Sequence, residues 1–138
     1  MNNRELEVTC QCGDIRVSLR GDPMVSIYCH CSDCRQVHGG AYVPLTLYPE
    51  DAITVTKGEP SAWALKTTRR STCASCGTRM FASPGGFHAV TGLLLPEGTF
   101  APSMHIFCAE AVLPINDDLP HYVGLPAAFG GSDDVVDW

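Results

Sequence analysis

Three observations in this sequence predict an all-β fold. Apolar residues alternate with polar ones over strand-length runs, Gly and Pro interrupt those runs at short intervals, and no stretch sustains a helical period. Leu6, Val8 and Cys10 alternate, as do Ile15, Val17 and Leu19 after Cys12-Gly13-Asp14, which is the pattern of two strands joined by a tight turn. Gly13 supplies the positive φ such a turn uses. Gly21-Asp22-Pro23 ends the second strand. Val25 and Ile27 lead into a cysteine-rich loop, where Arg35 to His38 is expected to form about one helical turn before Gly39-Gly40 stops it. Tyr42 to Leu47, Ile53 with Val55, and Trp63 with Leu65 read as further strands of an antiparallel, meander-like sheet, broken by Pro49, Gly58 and Pro60. Met80 and Phe81 follow a second cysteine turn, and Phe87 to Leu95 and Met104 to Val112 are apolar enough to be buried strands. One domain is expected over 5–125, followed by a flexible acidic tail over 126–138, where Gly130-Gly131-Ser132-Asp133-Asp134 offers little that can pack.

Composition limits what such a domain does. The 138 residues suffice for one modest core. A formal charge of -6 runs against nucleic acid as a partner, because phosphate binding is driven by clustered Lys and Arg. Charged residues make up 17%, below the usual quarter, which leaves neutral surface for a subunit interface and a homodimer. No run approaches the ~18 apolar residues of a membrane span, and the N-terminal residues carry no export signal, so a cytoplasmic location is expected. Eight cysteines in a reducing compartment point to metal ligands or catalytic groups before disulfides.

Those cysteines carry the chemistry. Tyr28-Cys29-His30-Cys31-Ser32-Asp33-Cys34-Arg35 places three thiols within six residues, where they cannot pair among themselves without leaving one over. A tight turn can aim all three at one soft cation, and zinc with thiolates at ~2.3 Å is the economical reading. A structural zinc site is closed by four protein ligands, whereas three leave a position for water or substrate. Cys10-x-Cys12 and Cys73-x-x-Cys76 are weak signals apart, but two knuckles from sequence-distant turns make a four-thiolate site whose binding energy is folding energy. The rival for Cys73 and Cys76, a redox dithiol, normally opens a helix beside a βαβ unit, and none is apparent.

Cys108 remains. As a fourth ligand to Cys29, Cys31 and Cys34 it would close that site and leave a purely structural zinc module; as a lone cysteine in Ile106-Phe107-Cys108-Ala109 it reads as a small buried hydrophobe. Among the histidines, His30, His88, His105 and His121 read mostly as bystanders, while His38 is near enough in sequence to reach the open side of the site. Arg35 could hold a substrate carboxylate or simply offset the anionic thiolates.

In order along the chain, Cys10-Gln11-Cys12-Gly13, Tyr28-Cys29-His30-Cys31-Ser32-Asp33-Cys34-Arg35, Gly39 and Cys73-Ala74-Ser75-Cys76-Gly77-Thr78 resemble the glutathione-dependent formaldehyde-activating enzyme family, which also contains centromere protein V. The resemblance implies an Mss4-like fold of folded antiparallel sheets and two zinc ions per chain. It implies that Cys10, Cys12, Cys73 and Cys76 hold a structural zinc, and that Cys29, Cys31 and Cys34 match a second, more labile one. It further implies a carbon–sulfur lyase with glutathione as co-substrate, forming or cleaving S-hydroxymethylglutathione or a related thiol–carbonyl adduct. The alternative from another class is a non-enzymatic zinc module that uses its sheet as a protein-binding surface, since fold alone does not select function.

Overall fold

The computed structural model describes residues 4–138. Among them, ten strands form two sheets and one α-helix interrupts them. The smaller sheet begins with the hairpin of β1 (Glu5–Thr9) and β2 (Arg16–Arg20), in register Val8↔Val17 and Leu6↔Leu19. Its period-2 alternation puts Val8, Val17 and Leu19 inward and the charged residues outward. A third strand, β5 (Ile53–Lys57), pairs with β2, and Gly58 follows it with φ +75. A Cβ at Gly58 would collide with the Asp14 carbonyl oxygen and Ile15 Cδ1, so glycine there lets this strand close against the β1–β2 turn.

The larger sheet runs β10-β3-β4-β9-β8-β7-β6. At its centre are β3 (Val25–Cys29), β4 (Val43–Pro49), β9 (Phe87–Thr91) and β8 (Arg79–Ser83); β7 (Thr68–Thr72) and β6 (Ser61–Leu65) extend one side. Alternation along β4 and β9 divides the core in two. Tyr48 and Val90 face the small sheet, where they join Val8, Val17, Leu19 and Met80. Leu45 and Ala89 face the other way and meet Ile27, Cys29, Cys34 and Ile106. The small sheet thus covers one face of the large one, and the triple-cysteine segment sits on the other.

Four sequence expectations change. The α-helix α1 spans Ser32–His38, about twice the expected turn, because it begins inside the cysteine motif: Cys31 is its N-cap, with the Cys34 backbone N–H donating to Cys31 Sγ at 3.3 Å. The meander is interrupted by one parallel pair, β10 (Met104–Ile106) on β3. That strand ends far short of Val112, since Phe107 takes φ 55 and starts a 3-10 turn over Cys108–Glu110; similarly, β9 gives way at Gly92, whose Cα lies against the Phe100 ring. Finally, residues 126–138 do not form a loose tail. Val123 and Val136 donate to Asp134 and His121 carbonyls at 2.8 and 2.9 Å, Tyr122 bridges Val135, and Trp138 packs on His30, His105 and His121. The glycine and acidic content signalled disorder, but backbone pairing and one terminal indole fix the segment.

Candidate metal centres

Cys10 and Cys12 come from the turn after β1, Cys73 and Cys76 from the turn between β7 and β8, and the four Sγ atoms lie within 4.8 Å of one another. Cys10 Sγ is 3.6 Å from Cys12 Sγ, and Cys12 Sγ is 3.7 Å from Cys73 Sγ. A tetrahedron with zinc–sulfur bonds of ~2.3 Å has edges of roughly 3.8 Å, a spacing that both of these distances approach. The knuckles are held to each other independently of any ion. Gln11 N–H donates to Thr78 Oγ1 at 3.1 Å, and Ser75 Oγ donates to Asp14 Oδ2 at 2.8 Å. Backbone N–H groups already point at sulfur: Ile15 N–H donates to Cys10 Sγ at 3.2 Å. Hydrogen bonds to Cys76 from the Thr78 hydroxyl and then from the Thr78 and Cys12 backbone bring its thiol down to about 5, favouring the thiolate a metal needs.

The second cluster is Cys29, Cys31 and Cys34, again within 4.8 Å. Cys29 ends β3, Cys31 caps α1 and Cys34 lies in its first turn, so cap and helix aim Cys31 and Cys34 at the strand-end thiol. Hydrogen bonds from Cys29 and Cys34 lower Cys31 strongly, with Arg70 adding to them, while Cys29 is pushed up chiefly by donating to Cys31. Cys108 does not join this trio. It is buried in its 3-10 turn, and desolvation followed by the Asp117 charge pushes it up to about 11, the state of an inert thiol.

This trio opens into a cavity of about 640 Å³ on the face of the large sheet away from the small one. Its wall is mostly hydrocarbon, including Ile27, Leu45, Leu47, Phe87 and Ile106, and its charged lining residues are Asp33 and Arg70. Neither Arg35 nor His38 lines it. Arg35 Nε donates to the His30 carbonyl at 3.2 Å and so braces the cysteine loop. His38 sits over a small neighbouring recess with Arg70 and Arg79, and burial followed by those two cations lowers it to about 4, leaving it neutral at pH 7. Arg70 is the residue that sequence reasoning missed. It is 7% exposed, its Nε has no hydrogen-bond partner among the described residues, and it comes from β7, a Thr-Arg-Arg-Ser-Thr strand without apolar alternation. The strand signal there is the β-branched pair Thr68 and Thr72, across from Leu65 and Ser61, with Arg70 itself opposite Trp63.

Behind the trio, three histidines expected as bystanders form one buried chain. Asp117 Oδ2 accepts from His105 Nε2 at 2.8 Å and Asp117 Oδ1 accepts from His121 Nε2 at 2.9 Å, while His30 Nε2 lies 2.9 Å from His105 Nδ1. With both Nε2 atoms donating to the carboxylate, His105 Nδ1 accepts from His30. Burial opposes the Asp117 charge, but the His105 hydrogen bond, the Leu119 N–H and both imidazoles outweigh it and hold the carboxyl below its usual range. Asp117→Asn offers one acceptor where two donors converge, so it is expected to cost about 1–3 kcal/mol in urea unfolding at pH 7. The depressed folded pKa means that this stabilisation is present above the ordinary carboxylate range and is lost as pH falls through the folded value. Unchanged stability at pH 7 would show that the chain of imidazoles does not support the fold.

The chain is thus of the class of all-β domains carrying two thiol clusters, each of which could hold a metal ion. The chain belongs to the glutathione-dependent formaldehyde-activating enzyme family, whose model matches residues 5–110. A solved structure of a Rhodobacter sphaeroides protein shares the fold with TM-score 0.56 and 18% identity, over 68% of this chain and 90% of that one. Among the described residues no helix is long and apolar enough to cross a membrane.

Proposed function

We propose that the protein is a zinc-dependent carbon–sulfur lyase that forms or cleaves adducts between glutathione and a small carbonyl compound, S-hydroxymethylglutathione being the simplest. Cys10, Cys12, Cys73 and Cys76 hold a structural zinc in this reading, and Cys29, Cys31 and Cys34 hold a second zinc with one position open. The observation that carries it is the trio itself: three thiols at the edge of a large cavity, with Cys108 outside their reach. A zinc ion there supplies the Lewis acidity that lowers the pKa of an incoming thiol.

The chain's own part is placement and charge. Three thiolates around a divalent cation leave one negative charge, which Arg70 offsets from the same cavity wall. That lowers the cost of bringing a further thiolate to an already anionic cluster. In the forward direction the thiolate sulfur attacks the carbonyl carbon, the π pair moves onto oxygen, and the proton lost by the thiol reaches that oxygen through solvent. The reverse breaks the carbon–sulfur bond and returns the pair to sulfur. Domain limits of 5–125 are proposed, with the 126–138 segment packed against that unit and contributing Phe129 to the cavity wall.

Exchange spectroscopy on glutathione and formaldehyde at equilibrium tests the proposal. Zinc-loaded protein is expected to accelerate interconversion of free thiol and hydroxymethyl adduct in proportion to its concentration. If exchange stays at the solution rate and glutathione gives no heat on titration, the protein is a structural zinc module instead.

A further inference from the structure

The lining of the cavity says more about the carbonyl compound than the family does. Formaldehyde has one carbon and needs no pocket, yet the thiol trio opens into about 640 Å³ walled by Ile27, Leu45, Leu47, Phe87, Ile106 and Phe129. Such a wall returns free energy only to hydrocarbon that leaves water against it. It is poorly suited to the tripeptide of glutathione, whose two carboxylates and ammonium call for several charged partners. Asp33, one of the two charged lining groups, is already paired with Lys66 at 3.1 Å. The other, Arg70, is nine-tenths buried, its Nε has no hydrogen-bond partner among the described residues, and it lines the same cavity as Cys29, Cys31 and Cys34.

Resting on the lyase reading above, we propose that the carbonyl substrate is an aldehyde with a hydrocarbon body, of medium-chain or arylalkyl type, its chain lying along the apolar wall and its oxygen beside Arg70. The polar part of the thiol then extends past the rim toward water. When sulfur adds to the carbonyl carbon, the displaced π pair collects on an oxygen one bond from the new carbon–sulfur bond, where a guanidinium beside the thiols meets it. On the return, the alkoxide pair re-forms the carbonyl and the sulfur leaves with the bonding pair. The adduct gains and loses only the thiol proton, so no oxidant or reductant is required.

A homologous series tests this without any variant. S-methyl-, S-butyl- and S-hexylglutathione are titrated by calorimetry into the zinc-loaded protein, and exchange is measured with formaldehyde, butanal, hexanal and phenylacetaldehyde. Affinity is expected to rise about three- to four-fold per methylene, and exchange with hexanal to exceed that with formaldehyde. Arg70→Met is expected to slow aldehyde exchange roughly a hundred-fold while S-hexylglutathione, which has no such oxygen, still binds. Glutathione binding and formaldehyde exchange with a flat chain-length series would overturn this inference and leave the lyase reading intact. A flat series together with a dimer in sedimentation would assign the wall to a second copy of the chain. No binding and no exchange with any member would bring down the lyase reading, and this inference with it.

Discussion

Cys73→Ser is expected to unfold the chain, whereas Cys31→Ser leaves it folded. The four-thiol cluster joins the β1–β2 turn of the small sheet to the β7–β8 turn of the large one, so the zinc proposed for it would cross-link the two layers that enclose the main core. Structural zinc in small domains is worth roughly 10–16 kcal/mol of apparent binding free energy at neutral pH. A whole domain is stable by only about 5–15 kcal/mol, so losing this ion removes as much as the fold has. Cys73 is also buried, and a serine hydroxyl there replaces a soft ligand with a poor one in a place without water.

Cys31 differs on each count. Its cluster joins β3 to the helix that follows three residues later, a local connection that the β3–β4 and β3–β10 pairings already secure. The other structural duty of Cys31 is to accept the Cys34 N–H as N-cap of α1, and serine performs that at least as well. Far-ultraviolet circular dichroism and chelator titration of both variants decide the matter. Equal loss of structure would mean that both metals are staples, and that the trio has no open position to spend on chemistry.

The sequence was most legible where local chemistry and structure coincide. The Leu6-Val8 and Val17-Leu19 alternation translated directly into the first hairpin, because a half-buried two-stranded ribbon has a period of two and nothing else to satisfy. Both thiol clusters were visible as short spacings, since turns bring ligands together within a few residues. What escaped was non-local. β7 lacks apolar residues because its Arg70 points to the cavity and the thiols, so the side chain that marks the site also hides its strand. His30, His105 and His121 are 75 and 16 residues apart, and only the parallel pairing of β10 on β3 and the return of the chain at Asp117 bring them together. The 126–138 segment was misread for a related reason. Its composition describes what it could bury by itself, while its position is set by backbone bonds to Val123 and His121 and by Trp138 against the histidines. Helix α1 starts early because a cysteine does the work of the usual serine cap, which residue-type rules do not count.

Metal stoichiometry separates the two chemical readings most sharply. Cys34→Ala is expected to remove one of two zinc ions and to abolish glutathione binding, while Cys108→Ala keeps both ions and the same affinity. The geometry gives the reason. Cys34 belongs to the trio whose sulfurs lie within 4.8 Å, and Cys108, two residues past the parallel strand that borders them, does not. Loss of one ligand from a three-ligand site leaves two, too few to hold zinc against water and buffer. Cys108 is buried at 4% exposure with its thiol pushed up to about 11, so alanine there removes a small hydrophobe. The cost is then about 1 kcal/mol of packing, with no change in charge or coordination. Metal analysis after gel filtration, paired with glutathione calorimetry, reads all four quantities from the same preparations. If Cys108→Ala loses a zinc ion, four protein thiolates close the second site, no position remains for an incoming thiol, and the structural-module reading takes the place of the lyase.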